Sequence, residues 1–200
     1  KKQTDTKEIH QLFNKGFQKG IEEIPFIPCA SEKILLKASE AVLDKTKIFQ
    51  KAIFFKNFKQ LFPEKDIVSY NLLYCSDKLC KTDVYGFAVT TFEKEDIQKL
   101  FQLDDFTPKS NAKHNASFIR HLKENNIVDV LKTFPTIPNQ AGELKKPEEL
   151  FIYADEDDKK SISFDTNFNF ISYEMEVVAR QFKDIEEILL TDLGVNRFNA

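Results

Sequence analysis

Ile24-Pro25-Phe26-Ile27-Pro28 recurs 110 positions later as Phe134-Pro135-Thr136-Ile137-Pro138, and both stretches constrain the backbone strongly. Neither can be a helix interior. Each proline lacks an amide donor, fixes its own φ and pushes the preceding residue towards extended geometry. Both stretches share the pattern apolar-Pro-x-Ile-Pro. In each, an aliphatic residue follows six positions after the second proline (Ile34, Leu144), then a Glu-led apolar turn. Those turns are Glu40-Ala41-Val42-Leu43 and Glu148-Glu149-Leu150-Phe151, aligned by a gap of one or two residues. The expected unit is an amphipathic helix, a stiff proline-framed strand, a tight turn, a short strand and a short helix. The prolines keep a ladder edge from pairing freely. Pro25, Ile27, Pro28, Pro135, Ile137, Pro138 and Gly142 define it. Two such matches among seven prolines also arise by chance, and the agreement of the flanking elements is what favours a repeat.

Outward from these stretches, residues 5–21 carry Ile9, Leu12, Phe13, Phe17 and Ile21 at helical spacing behind an Asp5 cap, with Gly20 as a stop. Residues 33–36 read as a brief strand and 38–43 as one or two helical turns. Residues 46–62 form the strongest expected helix, its phenylalanines on one face, lysines on another and Pro63 ending it. Strands are expected over 67–75 and 84–92, the latter rich in β-branched and aromatic residues around Gly86. A helix opens at Thr91 or Glu93 and runs through Leu103. Residues 104–115 read as a polar loop with Pro108, Ser117 as the cap of a helix to Glu124, and 127–133 as a second short helix. Pro147 suits a first helical turn, and residues 155–160 read as a charged loop. Residues 164–170 fit strand or loop, and 173–182 and 184–193 fit helices, Gly194 stopping the last.

The charge balance, 29 basic against 32 acidic residues for a net of −3, shows no basic excess of the kind that marks a phosphate-binding surface. Twenty phenylalanines and no tryptophan predict a core of large rings that need no polar partner. Three cysteines, Cys29, Cys75 and Cys80, do not make a disulfide framework and point to a reducing, cytoplasmic setting. No run approaches the roughly 18–20 apolar residues of a membrane span. The only methionine is Met175, so the chain is expected to come from a longer parent.

Each candidate for chemistry has a structural reading beside it. Cys75 and Cys80 supply half a zinc site, but Cys29, His10, His114 and His121 form no second close pair, so free buried thiols are expected. Cys29 with a histidine could make a thiol nucleophile, with nothing beyond the residue types to support it. Solvated surface positions are expected for His114 and His121. Asp83, Glu93 and Glu95 beside Lys94 suggest the carboxylate-lysine set of a metal-dependent nuclease. Acidic residues in a first helical turn are equally explained by the macrodipole. The run from Asp155 to Asp158 lacks the spaced ligands and glycine of a calcium loop. Lys47, Lys51, Lys56 and Lys59 among phenylalanines suit nucleic-acid stacking or, more simply, an amphipathic core helix.

The segment Phe134-Pro135-Thr136-Ile137-Pro138-Asn139-Gln140-Ala141-Gly142-Glu143-Leu144, followed by Pro147-Glu148-Glu149-Leu150, resembles sacsin-like proteins. These are large proteins with an Hsp90-type ATP-binding domain, followed by regions in which P-x-x-P-x-x-x-G units recur before a short p-x-E-L turn. Residues 24–43 resemble a degenerate copy, with Glu32 or Lys33 at the glycine position. The tail from Ile185 to Leu190 with Leu193-Gly194-Val195 is also similar to the stretch C-terminal to such units in that family. Clear resemblance covers roughly a third of the chain. None of the five glycines lies in the lid turn of the family's ATP site, so that activity is not carried over to this segment.

The expectation is therefore an α+β, helix-rich fold with small sheets framed by two proline units. It is arranged as modules 1–110 and 111–200 or as one compact domain. The expected function is a non-catalytic structural or partner-binding region of a larger, Hsp90-type ATPase-containing protein. It needs no cofactor and no metal, and its partners are other domains of the parent or a protein client. The alternatives are a metal-dependent nuclease domain and a nucleic-acid-binding module. Neither membrane nor nucleic acid is an expected partner.

Overall fold

A computed structural model of the chain describes residues 20, 23–30, 34–69, 89–154 and 168–198. The chain divides into two compact units, Lys1–Glu93 and Lys94–Ala200; the expected division after Ser110 falls inside the second. The fold is α+β, short helices with small sheets. The helix expected over 5–21 lies outside the described residues, as do most of the 67–75 and 84–92 strands.

In the first unit β1 (Ile27–Pro28) and β2 (Leu35–Leu36) form an antiparallel hairpin, Ile27 opposite Leu36 and Pro28 opposite Leu35. A 3-10 turn, Ala38–Glu40, leads directly into β3 (Ala41–Asp44). β3 is the middle of a three-stranded parallel sheet, between β4 (Asp66–Ile67) and β5 (Thr90–Phe92). The hairpin joins this sheet at Cys29, which bridges antiparallel to Val68. Pro28 has no amide to give, and its carbonyl accepts from the Ser69 amide at 2.8 Å.

Residues 38–43 are thus a correction: only the first three are helical. Ala41, Val42, Leu43 and Asp44 are all fully buried, the signature of a strand enclosed on both faces. A four-residue apolar run carries no period by which to tell it from a helix.

The helix expected over 46–62 is likewise broken into a 3-10 turn, Ile48–Gln50, and α1 (Ala52–Leu61). Lys47, at a left-handed φ of 58°, starts the 3-10 turn, and the extended Lys51 separates the two pieces. Phe54 and Phe58 of α1 are buried, while Ile53 and Phe55 are exposed. The rings of Phe49, Phe58, Phe62 and Phe92 meet edge-on or tilted at centroid distances of 4.9 to 6.3 Å. Burying a ring such as Phe58 stabilises by roughly 1.5–3 kcal/mol.

In the second unit a 3-10 turn, Lys94–Asp96, precedes α2 (Ile97–Gln102), and another, Thr107–Lys109, precedes α3 (Ala112–Glu124). The expected loop over 104–115 is therefore largely structured, with Phe106 and Pro108 buried. The cap of α3 is Asn111, whose side chain accepts from the His114 amide at 3.1 Å, and not Ser117. A 3-10 turn, Val128–Lys132, leads to the hairpin of β6 (Ile137–Pro138) and β7 (Leu144–Lys145). The helical start expected at Pro147 is the 3-10 turn Pro147–Glu149, which then enters β8 (Phe151–Tyr153).

Phe170 and Ile171 bridge β8 and Asn139, so an extended pair takes the place that β4 has in the first unit. α4 (Tyr173–Gln181) starts on a Ser172 cap, and α5 (Lys183–Glu187) continues as a π-helical turn, Ile188–Asp192. Gly194, at φ 80°, ends it as expected. The chain closes with β9 (Asn196–Phe198), parallel to β8, a strand that the residue pattern does not announce.

Candidate functional site

The proline hairpins are where the two units can be superposed bond by bond. The Phe26 amide donates to the Leu36 carbonyl at 3.2 Å, and that of Thr136 to the Lys145 carbonyl at 2.9 Å. Cys29 donates to Ile34, and Asn139 to Glu143. Ala30 donates to Ile67 and Gln140 to Phe170, while Ser69 and Ser172 each donate to the second proline carbonyl, Pro28 or Pro138, at 2.8 Å. The parallel flank recurs as well: Val42 pairs with Thr90, and Phe151 with Asn196.

The Glu of each turn has a defined task. Glu40 Oε2 accepts from the Lys37 amide at 3.0 Å, and Glu149 Oε2 from the Lys146 amide at 3.1 Å. Each carboxylate closes the 3-10 turn from its third position, as a capping-box glutamate does, and aims the following strand into the core.

The defining residues divide by burial. Ile27 and Ile137 point into the core, Pro138 is buried and Pro28 half-buried, while Pro25 and Pro135 are exposed. Gly142 takes φ 80° with open space around its α-carbon, so the dihedral alone asks for glycine there.

Between Pro138 and Gly142 sits a residue that sequence reasoning missed. Asn139 is 2% exposed, and its Oδ1 accepts from the amides of Ala141 and Glu143 at 3.0 and 2.9 Å. Its Nδ2 donates to Asn169 Oδ1 at 3.3 Å. The side chain thus holds the whole turn, the use to which turn asparagines are suited. Pro-Asn with Gly three residues later was the available signal. Cys29 stands at the equivalent place in the first unit and is buried.

The outer edge also differs. Glu143 and Lys145 form an ion pair at 3.0 Å on the second hairpin. Lys145, by hydrogen bond and charge, holds the Glu143 carboxyl below its ordinary pKa. The first hairpin presents Ile34 and Leu35, both more than half exposed.

Of the nuclease candidates, Asp83 lies outside the described residues. Glu93 Oε1 is 2.6 Å from Lys45 Nζ, Lys94 Nζ is 3.6 Å from Asp129 Oδ2, and Glu95 lies exposed in the 3-10 turn. Among the described residues no group of three or more His, Cys, Asp or Glu is placed to hold a metal ion. His10, Cys75, Cys80 and the run 155–158 are outside the described residues. His121 corrects its surface assignment: it is 5% exposed, on the core face of α3, with Nε2 3.4 Å from Asn125 Nδ2. His114 is half-buried, its Nδ1 shielded from solvent.

On the opposite side of α3, Arg120 grips Asp184 through two bonds of 2.6 and 3.2 Å, and Lys123 meets Asp192 at 2.6 Å. The Arg120 hydrogen bond lowers the Asp184 pKa and raises that of Arg120. No helix among the described residues is long and apolar enough to cross a membrane. No family model, no curated protein and no solved structure matches the chain.

Proposed function

We propose that this chain is a pair of scaffold modules within a longer, sacsin-like protein with an Hsp90-type ATPase. In this reading the modules hold neighbouring domains or a protein client rather than catalysing a reaction. The observation that carries it is the recurrence of one hydrogen-bond plan around the two proline hairpins, including the Glu40 and Glu149 closures. Modules repeated on one plan suit extended binding surfaces, because each copy brings its own core and adds area without new chemistry. The motif Pro135-Thr136-Ile137-Pro138 with Gly142 and the turn Pro147 to Leu150 adds the link to the parent family.

The test is made in the parent protein. Its coding sequence is expected to contain an ATP-binding domain upstream of this segment. Asn139→Ala together with Glu149→Ala is expected to abolish ATP-dependent protection of an aggregating client while leaving basal ATP hydrolysis within about twofold. A parent without such a domain, or Mg²⁺-dependent cleavage of DNA or RNA by this chain, would overturn the proposal.

A further inference from the structure

Thr107, Asn111 and Asn115 stack one turn apart at the start of α3. The Asn111 amide donates to the Thr107 carbonyl at 3.0 Å, and the Asn115 amide to the Asn111 carbonyl at 2.8 Å. His114 follows Asn111 by three residues and so lies on the same flank of the helix. The Asn115 side chain turns back over the 3-10 turn. Its Nδ2 donates to the Pro108 carbonyl at 2.8 Å and to the Thr136 carbonyl at 3.2 Å. One side-chain amide thus ties helix, turn and the strand of the second proline hairpin together.

Three side-chain atoms of this joint are shut off from solvent and meet no hydrogen-bond partner in the protein: Thr107 Oγ1, His114 Nδ1 and Asn115 Oδ1. The Asn115 amide cannot simply be turned over, because its oxygen would then face the two carbonyls that Nδ2 serves. Asn115 is 2% exposed. The neighbouring core is closed by the rings of Phe101, Phe106, Phe118 and Phe134, in contact at centroid distances of 5.1 to 5.9 Å.

Buried polar atoms without a partner are rare in native proteins, and an internal water with about three hydrogen bonds is a common way to satisfy them. The three atoms offer the mix that a water needs. Asn115 Oδ1 only accepts, the Thr107 hydroxyl gives or takes, and His114 Nδ1 does either according to tautomer. The positive end of the α3 dipole, with Lys109 and Lys113 close in the chain, disfavours a cation here. The Asn115 oxygen disfavours an anion.

We propose that this joint is a binding site for one ordered water, which bridges Asn115 Oδ1, Thr107 Oγ1 and His114 Nδ1. The water completes what Asn115 begins, so the second proline hairpin is fastened to α3 through solvent as well as through protein. The site is independent of what the parent protein does.

The first test is a crystal structure of the whole chain at a resolution that shows ordered solvent. One solvent peak is expected within about 2.7–3.2 Å of the three atoms. An empty joint, or a direct hydrogen bond between two of the three atoms, would overturn the proposal.

The second test reads a sign. Thr107→Val keeps the shape and removes the hydroxyl. Were that hydroxyl truly without a partner, its removal would raise the melting temperature. With the water in place, one of its bonds is lost, and a fall of about 2–4 °C is expected. A rise or no change would overturn the proposal, and if the variant does not fold, the diffraction result alone decides.

Discussion

The two hairpins teach what this module needs and what it tolerates. Around Asn139 the turn is held by side-chain bonds to two amides, and its edge is guarded by the Glu143–Lys145 pair. Around Cys29 the same backbone bonds form, but the equivalent residue is a small buried thiol and the edge is apolar. The shared parts are the isoleucine, the second proline's carbonyl and the closing glutamate. The dispensable parts are the loop polar network and the edge charges. Module geometry thus resides in the hydrogen bonds that join hairpin to sheet, and the loop is free to specialise.

The strongest blow to the comparison is aimed at what the hairpins share. Ile137→Ala and Ile27→Ala are each expected to destabilise by about 2–5 kcal/mol. The first is expected to cost more because Ile137 is fully buried. Denaturant midpoints measure both, and a negligible loss in either would deny that the isoleucine is a common anchor.

Next in size is the residue that distinguishes them. Asn139→Ala leaves the turn amides without their acceptor and is expected to cost about 1–3 kcal/mol. Cys29→Ala loses one sulfur and should cost about 1 kcal/mol. Hydrogen exchange at Ala141 and Glu143 reads the first directly, and equal costs would erase the contrast.

That contrast also shows where the sequence was readable. The prolines, the glycine and the helical spacing identified the hairpins, α3 in part, α4 and the Gly194 stop. They did so because those residues act through their own backbone dihedrals. What sequence reasoning missed depends on enclosure: Ala41 to Asp44 became a strand only because two others flank it. His121 looked solvated beside Lys123, yet it faces the core of its helix. Asn139 lay inside the motif but was hidden by its neighbours' stronger signals.

A smaller effect should be equal in the two units. Glu40→Ala and Glu149→Ala each remove one closure of a 3-10 turn and are expected to cost about 0.5–2 kcal/mol. Parallel losses in thermal unfolding would sharpen the idea of one plan, whereas a loss in one unit only would break it.

The smallest effect concerns Asp184, whose pKa is held below its ordinary value chiefly by the Arg120 hydrogen bond. A depressed carboxylate contributes stability that is present above its unfolded pKa and is lost as pH falls through the folded value. The pair is exposed, so Arg120→Ala should cost about 1 kcal/mol or less at neutral pH. The cost should fade on acidification below the ordinary carboxylate range. A cost independent of pH would assign Arg120 to its packing over Phe182 instead.

The parallel partner of each central strand arrives late: Val42 must wait for Thr90, and Phe151 for Asn196. On a ribosome adding roughly 5–20 residues per second, the inner strand of each unit spends seconds with one flank unsealed. Translation speed is then expected to influence how much of this protein reaches its native state. A slow codon placed before either closing strand would reveal that dependence as a lower soluble yield.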